Sequence, residues 1–270
     1  MKEVAARKEE PTAATLIEAK NFSVTLGTEA NRVVALKGVT LSIMAGEIVV
    51  MVGPSGCGKT TFLNSICGLL TPSAELTGSL TVTDGVRLGY MPQKDALLPW
   101  RTVFGNVEVG PELRGVGRAE RRDRSDALIE LVGLSKFRNS YPHELSGGMR
   151  QRVSLARTLG YGPDVILMDE PFAALDAFNR TALQEELLRI NDKTRLTVLL
   201  ITHDLSEAIV LGRRVAVMTS SPGRILDVYP IDFPEPRSAA HLRGTDAFLH
   251  LFQKLWQVLM TESDPTKRAA

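Results

Sequence analysis

Three groups of residues in this chain have types and spacings that chemistry could use. Gly53-Pro54-Ser55-Gly56-Cys57-Gly58-Lys59-Thr60 matches G-x-x-x-x-G-K-[ST] and is followed by Thr61. Glycines at those places let backbone N–H groups turn inward around phosphate oxygens. A helix that opens at the lysine adds unpaired donors and the positive end of its dipole. Lys59 is then placed to reach the outer phosphates and the Thr60 hydroxyl to bind a magnesium ion. The second group is Asp169-Glu170, at the end of the apolar run 165–168. A buried strand does not normally end in adjacent carboxylates unless something there uses them. Asp169 suits the surroundings of a metal ion. Glu170 is one residue on and points elsewhere, so it suits polarising a water. The third group is Leu145-Ser146-Gly147-Gly148-Met149, which opens another helical stretch. This is a second glycine-bearing helix start aimed at an anion, although Ser146 alone also reads as a plain helix cap.

The elements that must position these groups follow from periodicity. Residues 16–43 read as strand, loop and strand, antiparallel, interrupted by the polar stretch 26–32. Residues 48–52 form a compact apolar run, the pattern of a strand buried on both faces, and feed the glycine loop. A helix is predicted over 59–70, and short strands over 80–82 and 87–91. Residues 95–157 change character. They are rich in Arg, Glu and Leu, with helical spacing at Ala127, Leu128, Leu131 and Val132. The α/β pattern then resumes with strands at 165–168, 198–201, 215–218 and 225–228, and a helix at 181–191. Strands alternating with helices imply a mostly parallel sheet covered on both faces. The stretch 245–259 places Phe248, Phe252, Leu255 and Leu259 on one stripe, an amphipathic helix packed on its own domain.

Composition narrows the function classes. The 270 residues include 32 basic and 31 acidic side chains, a formal net charge of +1. That balance gives no electrostatic case for nucleic acid or an anionic membrane surface. The two cysteines, Cys57 within the phosphate loop and Cys67 soon after it, lack metal-ligand spacing and point to a reducing compartment. Cys57 reads as a small filler. No apolar run approaches the ~18–20 residues of a bilayer span.

Taken in order, the three motifs resemble the nucleotide-binding subunit of ATP-binding cassette (ABC) transporters, over about residues 16–237. The resemblance implies a RecA-like P-loop α/β core with an antiparallel β subdomain and an α-helical subdomain, using ATP and Mg²⁺. Residues 1–14 are then a flexible tail, 15–237 the nucleotide-binding domain with its helical subdomain at about 95–157, and 238–270 a C-terminal helical extension. It also implies that residues Gly53 to Thr61 hold ATP, and that Ser146, Gly147 and Gly148 contact the γ-phosphate of an ATP held by the opposite subunit. Met149 stands where the family most often has glutamine. Gln93 matches the Q-loop glutamine, a link between Mg²⁺ or water and the transmembrane partner. Ala174-Leu175-Asp176 matches the D-loop, and His203 the switch histidine. The implied catalytic residues are Glu170, His203 and Gln93, and the implied metal residues Thr60, Gln93 and Asp169. The aromatic residue that usually stacks on adenine is replaced by Leu26, while Phe22 reads as a core residue. Adenine contact would then be apolar.

Residues 91–107, 221–237 and the helical tail are similar to the importer group for nitrate, sulfonates and taurine. This likeness implies MgATP hydrolysis driving import of a small solute. It implies a head-to-tail dimer of two copies, two permease subunits, an indirect solute-binding protein and no nucleic acid, at the cytoplasmic face of the plasma membrane. Leu97, Leu98, Pro99 and Trp100 would meet the permease, unless Trp100 packs inside the helical insertion. The rival readings are a non-transport ABC ATPase acting on a soluble complex, a phosphate-loop kinase and a catalytically dead regulatory cassette.

Overall fold

The computed structural model describes residues 14–28 and 31–263; the segment 1–13, expected to be a tail, lies outside them. Strands β1 (Thr15–Leu26) and β2 (Val33–Met44) are antiparallel, and β4 (Glu75–Val82) lies on the other side of β1. The buried positions of β1 switch from odd (Ile17, Ala19) to even (Phe22, Val24). Asn21, at φ 48°, sits at the switch, beside register shifts in both ladders. The bulge therefore keeps one face of a long strand inward after an inserted residue. Phe22 is a core residue as expected, only 3% exposed.

The second sheet has the order β5-β6-β7-β3-β8-β9 among the described residues. Its strands β3 (Ile48–Val52), β5 (Leu88–Met91), β6 (Val165–Asp169), β7 (Thr197–Thr202) and β8 (Arg214–Met218) are parallel, and β9 (Ile225–Pro230) is antiparallel to β8. The continuous apolar runs of β3, β6 and β7 are explained by cover on both faces. Val49, Met51, Val165, Leu167, Leu199 and Ile201 face α1 (Lys59–Ile66) and the three-stranded sheet. Their neighbours Ile48, Val50, Val52, Ile166, Met168, Val198 and Leu200 pack on the opposite side. That side is closed by α5 (Ala177–Thr194), α6 (Leu205–Leu211), α7 (Ala239–Leu242) and α8 (Asp246–Ser263). Phe248 and Leu255 of α8 are buried in this core, as an amphipathic helix packed on its own domain requires, whereas Leu249 and Trp256 stay about half exposed.

Helices α2 (Val103–Leu113), α3 (Arg118–Leu131) and α4 (Gly147–Gly160) surround a separate apolar cluster that includes Val107, Ile129, Leu134 and Val153. The helices α2 and α4 touch through glycine: a Cβ on Gly110 would lie 2.4 Å from the Tyr161 nitrogen, and one on Gly160 2.8 Å from the Val107 oxygen. Trp100 is 72% exposed on the preceding loop, so it does not pack inside the helical segment. The loop itself is fixed from beneath by Asn106, fully buried, whose amide donates to the oxygens of Leu98, Arg101 and Thr102 and accepts from the Leu98 nitrogen.

Element ends differ from the periodic expectation where backbone chemistry intervenes. Helix α1 stops at Ile66, not at residue 70, because the chain reverses through Gly68 at φ 67°. Helix α5 starts at Ala177, four residues early, because Asp176 caps it. Strand β4 reaches back to Glu75 through positions that are all exposed, Leu76 and Gly78 among them, and so carries no hydrophobic alternation there.

Candidate functional site

Parallel strands bring their carboxyl ends to one edge of a sheet, and that edge is where α/β proteins bind ligands. Here β3 delivers the glycine loop, β5 leads to Gln93, β6 ends in Asp169-Glu170 and β7 leads to His203. The expected residues from four separate stretches of chain thus converge.

The glycine loop is pressed between two strands. A Cβ on Gly58 would come within 2.7 Å of the Ala35 oxygen on β2, and one on Gly53 within 2.9 Å of the Met218 Cβ on β8. Gly58 also sits at φ 95°, open to glycine but strained for other residues. No side chain caps α1, and no acidic residue lies in its first turn. Its N-terminal N–H groups remain available to an anion. They border a cavity of about 340 Å³ lined by Ser55, Gly56, Gly58, Lys59, Thr60, Thr61 and Glu170, and on its apolar side by Leu26, Val33 and Ala35. Leu26 thus forms part of an apolar wall of this cavity.

Lys59 is 5% exposed, and its ammonium donates to the Gly53 and Pro54 oxygens at 2.8 and 2.9 Å. Cys57 is buried beside it, and that burial pushes its thiol above the ordinary range, in keeping with a filler role. The Thr60 hydroxyl donates to Asp169 Oδ1 at 3.2 Å, and the Tyr90 hydroxyl to Asp169 Oδ2 at 3.4 Å. Burial pushes the Asp169 carboxyl up, and the Thr60 hydrogen bond opposes it. Tyr90 itself is raised to about 12 by burial and by the neighbouring Asp169. Two hard oxygen donors held together at the loop fit a magnesium ion, which takes few protein ligands and keeps waters and phosphate oxygens for the rest.

Glu170 adopts φ 44°, rare for a residue with a side chain, and is anchored by its N–H to the Ile201 oxygen at 3.0 Å. This turn sends its carboxylate away from Asp169. Its Oε2 meets His203 Nδ1 at 3.0 Å and accepts from Gln93 Nε2 at 3.5 Å. A carboxylate held by an imidazole and an amide at the mouth of a phosphate-loop cavity can orient and polarise a water.

Ser146, Gly147, Gly148 and Asp176 do not line that cavity. Ser146 caps α4, accepting from the Met149 nitrogen at 3.3 Å. Asp176 caps α5, accepting from the nitrogens of Phe178 and Asn179 and from the Asn179 side chain at 2.6 Å. The two helix starts abut, since a Cβ on Gly148 would lie 3.0 Å from the Asn179 side chain. Around this contact Ser146 and Asp176 are exposed, Gly147 is half-buried and Gly148 is buried against α5, with Phe178, 83% exposed, beside them.

Two connections were not legible from the motifs. The segment after Gln93 is stitched to α4: Gln151 donates to the Gln93 oxygen at 3.2 Å, Arg150 pairs with Asp95 at 2.9 Å, and Arg157 donates to the Ala96 and Asp95 oxygens. Behind His203, Arg180 joins the Leu175 oxygen at 3.1 Å, Asp204 at 3.4 Å and Glu207 at 3.6 Å. Glu207 is 3% exposed, accepts from the Thr202 hydroxyl at 2.6 Å, and is pushed up to about 7 mainly by burial.

A family model described as ABC transporter matches residues 36–173. The chain belongs to the ABC transporter family. It is 43% identical to the taurine import ATP-binding protein of Rhizobium johnstonii, over 85% of this chain and 90% of that protein. Its identity to the nitrate import ATP-binding protein of Synechococcus elongatus is 41%, over 85% of this chain and 36% of that longer protein. Among solved structures it is similar to a dimeric ABC cassette in a post-hydrolysis state bound to ADP and Pi, with a TM-score of 0.67 and 30% identity, over 81% of this chain and all of that one. The chain is thus an ABC ATPase with the cassette fold and the RecA-like core expected of it. No helix among the described residues is long and apolar enough to cross a membrane.

Proposed function

We propose that this ABC ATPase binds MgATP at the phosphate loop and uses its hydrolysis to power import of a small solute through a membrane permease. The observation that carries the reading is the Glu170 carboxylate, turned out by its positive φ onto His203 and Gln93 beside the Lys59 and Thr60 cavity. Lys59 exchanges the Gly53 and Pro54 carbonyls for β- and γ-phosphate oxygens. Thr60 and Asp169 would hold a magnesium ion, which would supply neutralisation of charge on the phosphates when bound. Glu170 takes the role of polarising the attacking water, His203 holds the carboxylate in place, and Gln93 reports the state of the site to the segment that follows it.

The surface formed by Ser146, Gly147, Gly148 and Asp176 is assigned to a second copy's ATP. Two copies related by a two-fold axis then complete each other's sites, so that neither is whole alone. The names of the taurine and nitrate relatives support a small anionic or zwitterionic, sulfur- or nitrogen-containing solute. They also support a membrane permease as partner, to which we assign two subunits, with a solute-binding protein acting through them and this subunit on the cytoplasmic face of the membrane. The exposed Trp100, on a loop braced by Asn106 and tied to α4 through Arg157, is assigned to the permease contact. An apolar cavity of about 290 Å³ adjoins it through Arg157 and is lined also by Val109, Leu113 and Tyr161.

The test is Glu170→Gln purified from native membranes in MgATP. It should bind ATP as the parent does, hydrolyse it at least ~100-fold more slowly, and co-purify with a polytopic membrane protein. Recovery with soluble complexes alone would reject the transport assignment. Trp100→Ala should keep the ATP affinity and lose the co-purifying permease; loss of ATP binding with normal permease association would refute that contact.

A further inference from the structure

We propose that the helical segment carries a separate binding site for a compact dianion, between α2 and the start of α3. The two helices and Arg138, from the segment after α3, enclose a cavity of about 540 Å³ lined by Phe104, Glu108, Arg118, Arg121, Arg122 and Arg138. Its volume is that of a small-molecule pocket. None of these residues belongs to the ATP site.

The charge in this cavity is unbalanced. Arg121 pairs with Glu108 at 2.6 Å, and Arg138 pairs with Asp126. Arg122 reaches the same Asp126 only at 3.9 Å, and Arg118 has no carboxylate partner among the described residues. Four guanidiniums line the cavity against one carboxylate, Glu108. Asp126 pairs Arg138 from outside the lining, and Glu112 lies near Arg121 but is itself paired with Arg101, so the cavity keeps an excess of positive charge. The site also opposes the preference of its own helix. The first turns of a helix favour acidic side chains because the dipole is positive there. Helix α3 begins at Arg118, places Arg121 and Arg122 in the next turn, and has Glu120 as the one acid of its first turn. A bound dianion would balance the excess charge and satisfy the helix start together.

The forks are also held in place before any ligand arrives. Arg138 lies 3.8 Å over the Phe104 ring and is locked by Asp126, while Arg121 is locked by Glu108. Planar guanidiniums fixed in this way suit bidentate contact with phosphate, sulfate or paired carboxylates. Arg122, whose side chain is 72% exposed, can swing inward. The ligand class is a small soluble dianion.

Calorimetry on the full chain saturated with ADP tests this, because ADP fills the phosphate loop. Sulfate, titrated at constant ionic strength against chloride, should bind once per chain with Kd below about 10 mM. Nitrate, a monoanion, should bind roughly tenfold more weakly or not at all. The double variant Arg118→Gln, Arg122→Gln changes two exposed side chains. It should weaken sulfate binding roughly tenfold while leaving the melting temperature and basal ATPase rate unchanged. Heats indistinguishable from chloride would overturn the proposal. So would binding abolished by ADP, which would place the anion at Lys59, or binding unaffected by the double variant.

Discussion

Two helix starts in this molecule carry glycine, yet they are built differently. Helix α1 has Gly58 at its N-cap in the left-handed region and no side-chain cap, so its N–H groups are left open over a cavity. Helix α4 is closed by the Ser146 hydroxyl, and its first residues lie against Asn179 of α5, away from that cavity. The open terminus keeps its donors free for a ligand, and the chain supplies the pocket around it. The capped terminus is stable alone, and because the Ser146 oxygen accepts the cap bond, its O–H is still free to donate to a ligand. On the proposed function, one chain presents a binding site and the complement of its partner's.

That contrast can be broken experimentally. Lys59→Ala acts on the open terminus and should lower ATP affinity by about 100-fold or more, read by nucleotide titration of the isolated chain. Glu170→Gln should leave that affinity intact and cost hydrolysis at least ~100-fold, which separates holding the phosphates from attacking them. Ser146→Ala acts on the capped terminus. It should leave nucleotide binding to the isolated chain unchanged, reduce ATPase turnover about 10- to 100-fold, and cost about 1 kcal/mol of stability through the lost cap. Equal loss of ATP affinity in Lys59→Ala and Ser146→Ala would erase the difference between the termini.

The smallest expected effect lies behind the site. Glu207 is pushed up to about 7 by burial, whereas an unfolded glutamate titrates near 4.5. The folded chain therefore holds its proton between those values while the unfolded chain has lost it. Stability contributed by this group is present at low pH and declines as pH rises through about 7. Glu207→Gln mimics the protonated form. It should raise stability at pH 8 by up to about 3 kcal/mol and change it little near pH 4.5. Thermal melts at the two pH values read the difference; an equal shift at both would exclude titration of Glu207 as the cause.

The sequence disclosed most of what is local. The phosphate loop follows a buried strand and opens a helix, a context visible in residues 48–59, and the paired acids stand out against the apolar run before them. The parallel sheet was legible because runs buried on both faces look alike wherever they occur. What stayed hidden depends on tertiary contact. Nothing in the spacing of Tyr90 signals its bond to Asp169, and no motif joins Arg180 to Glu207 or Gln151 to the Gln93 main chain. The positive φ of Glu170 is likewise a property of the folded turn. Trp100 was open between a core and a surface position, and the bracing of its loop by a fully buried Asn106 explains the exposed outcome.

The central claim is that the open terminus of one copy and the capped terminus of another make one site. Mixing Lys59→Ala chains with Ser146→Ala chains tests it most directly, by measuring ATPase activity before and after exchange. A head-to-tail pair of one of each contains one doubly broken site and one intact site. The account predicts that the mixture recovers roughly a quarter of the parent rate at equal total chain, from random pairing of independent sites. A mixture no more active than either variant alone would contradict it.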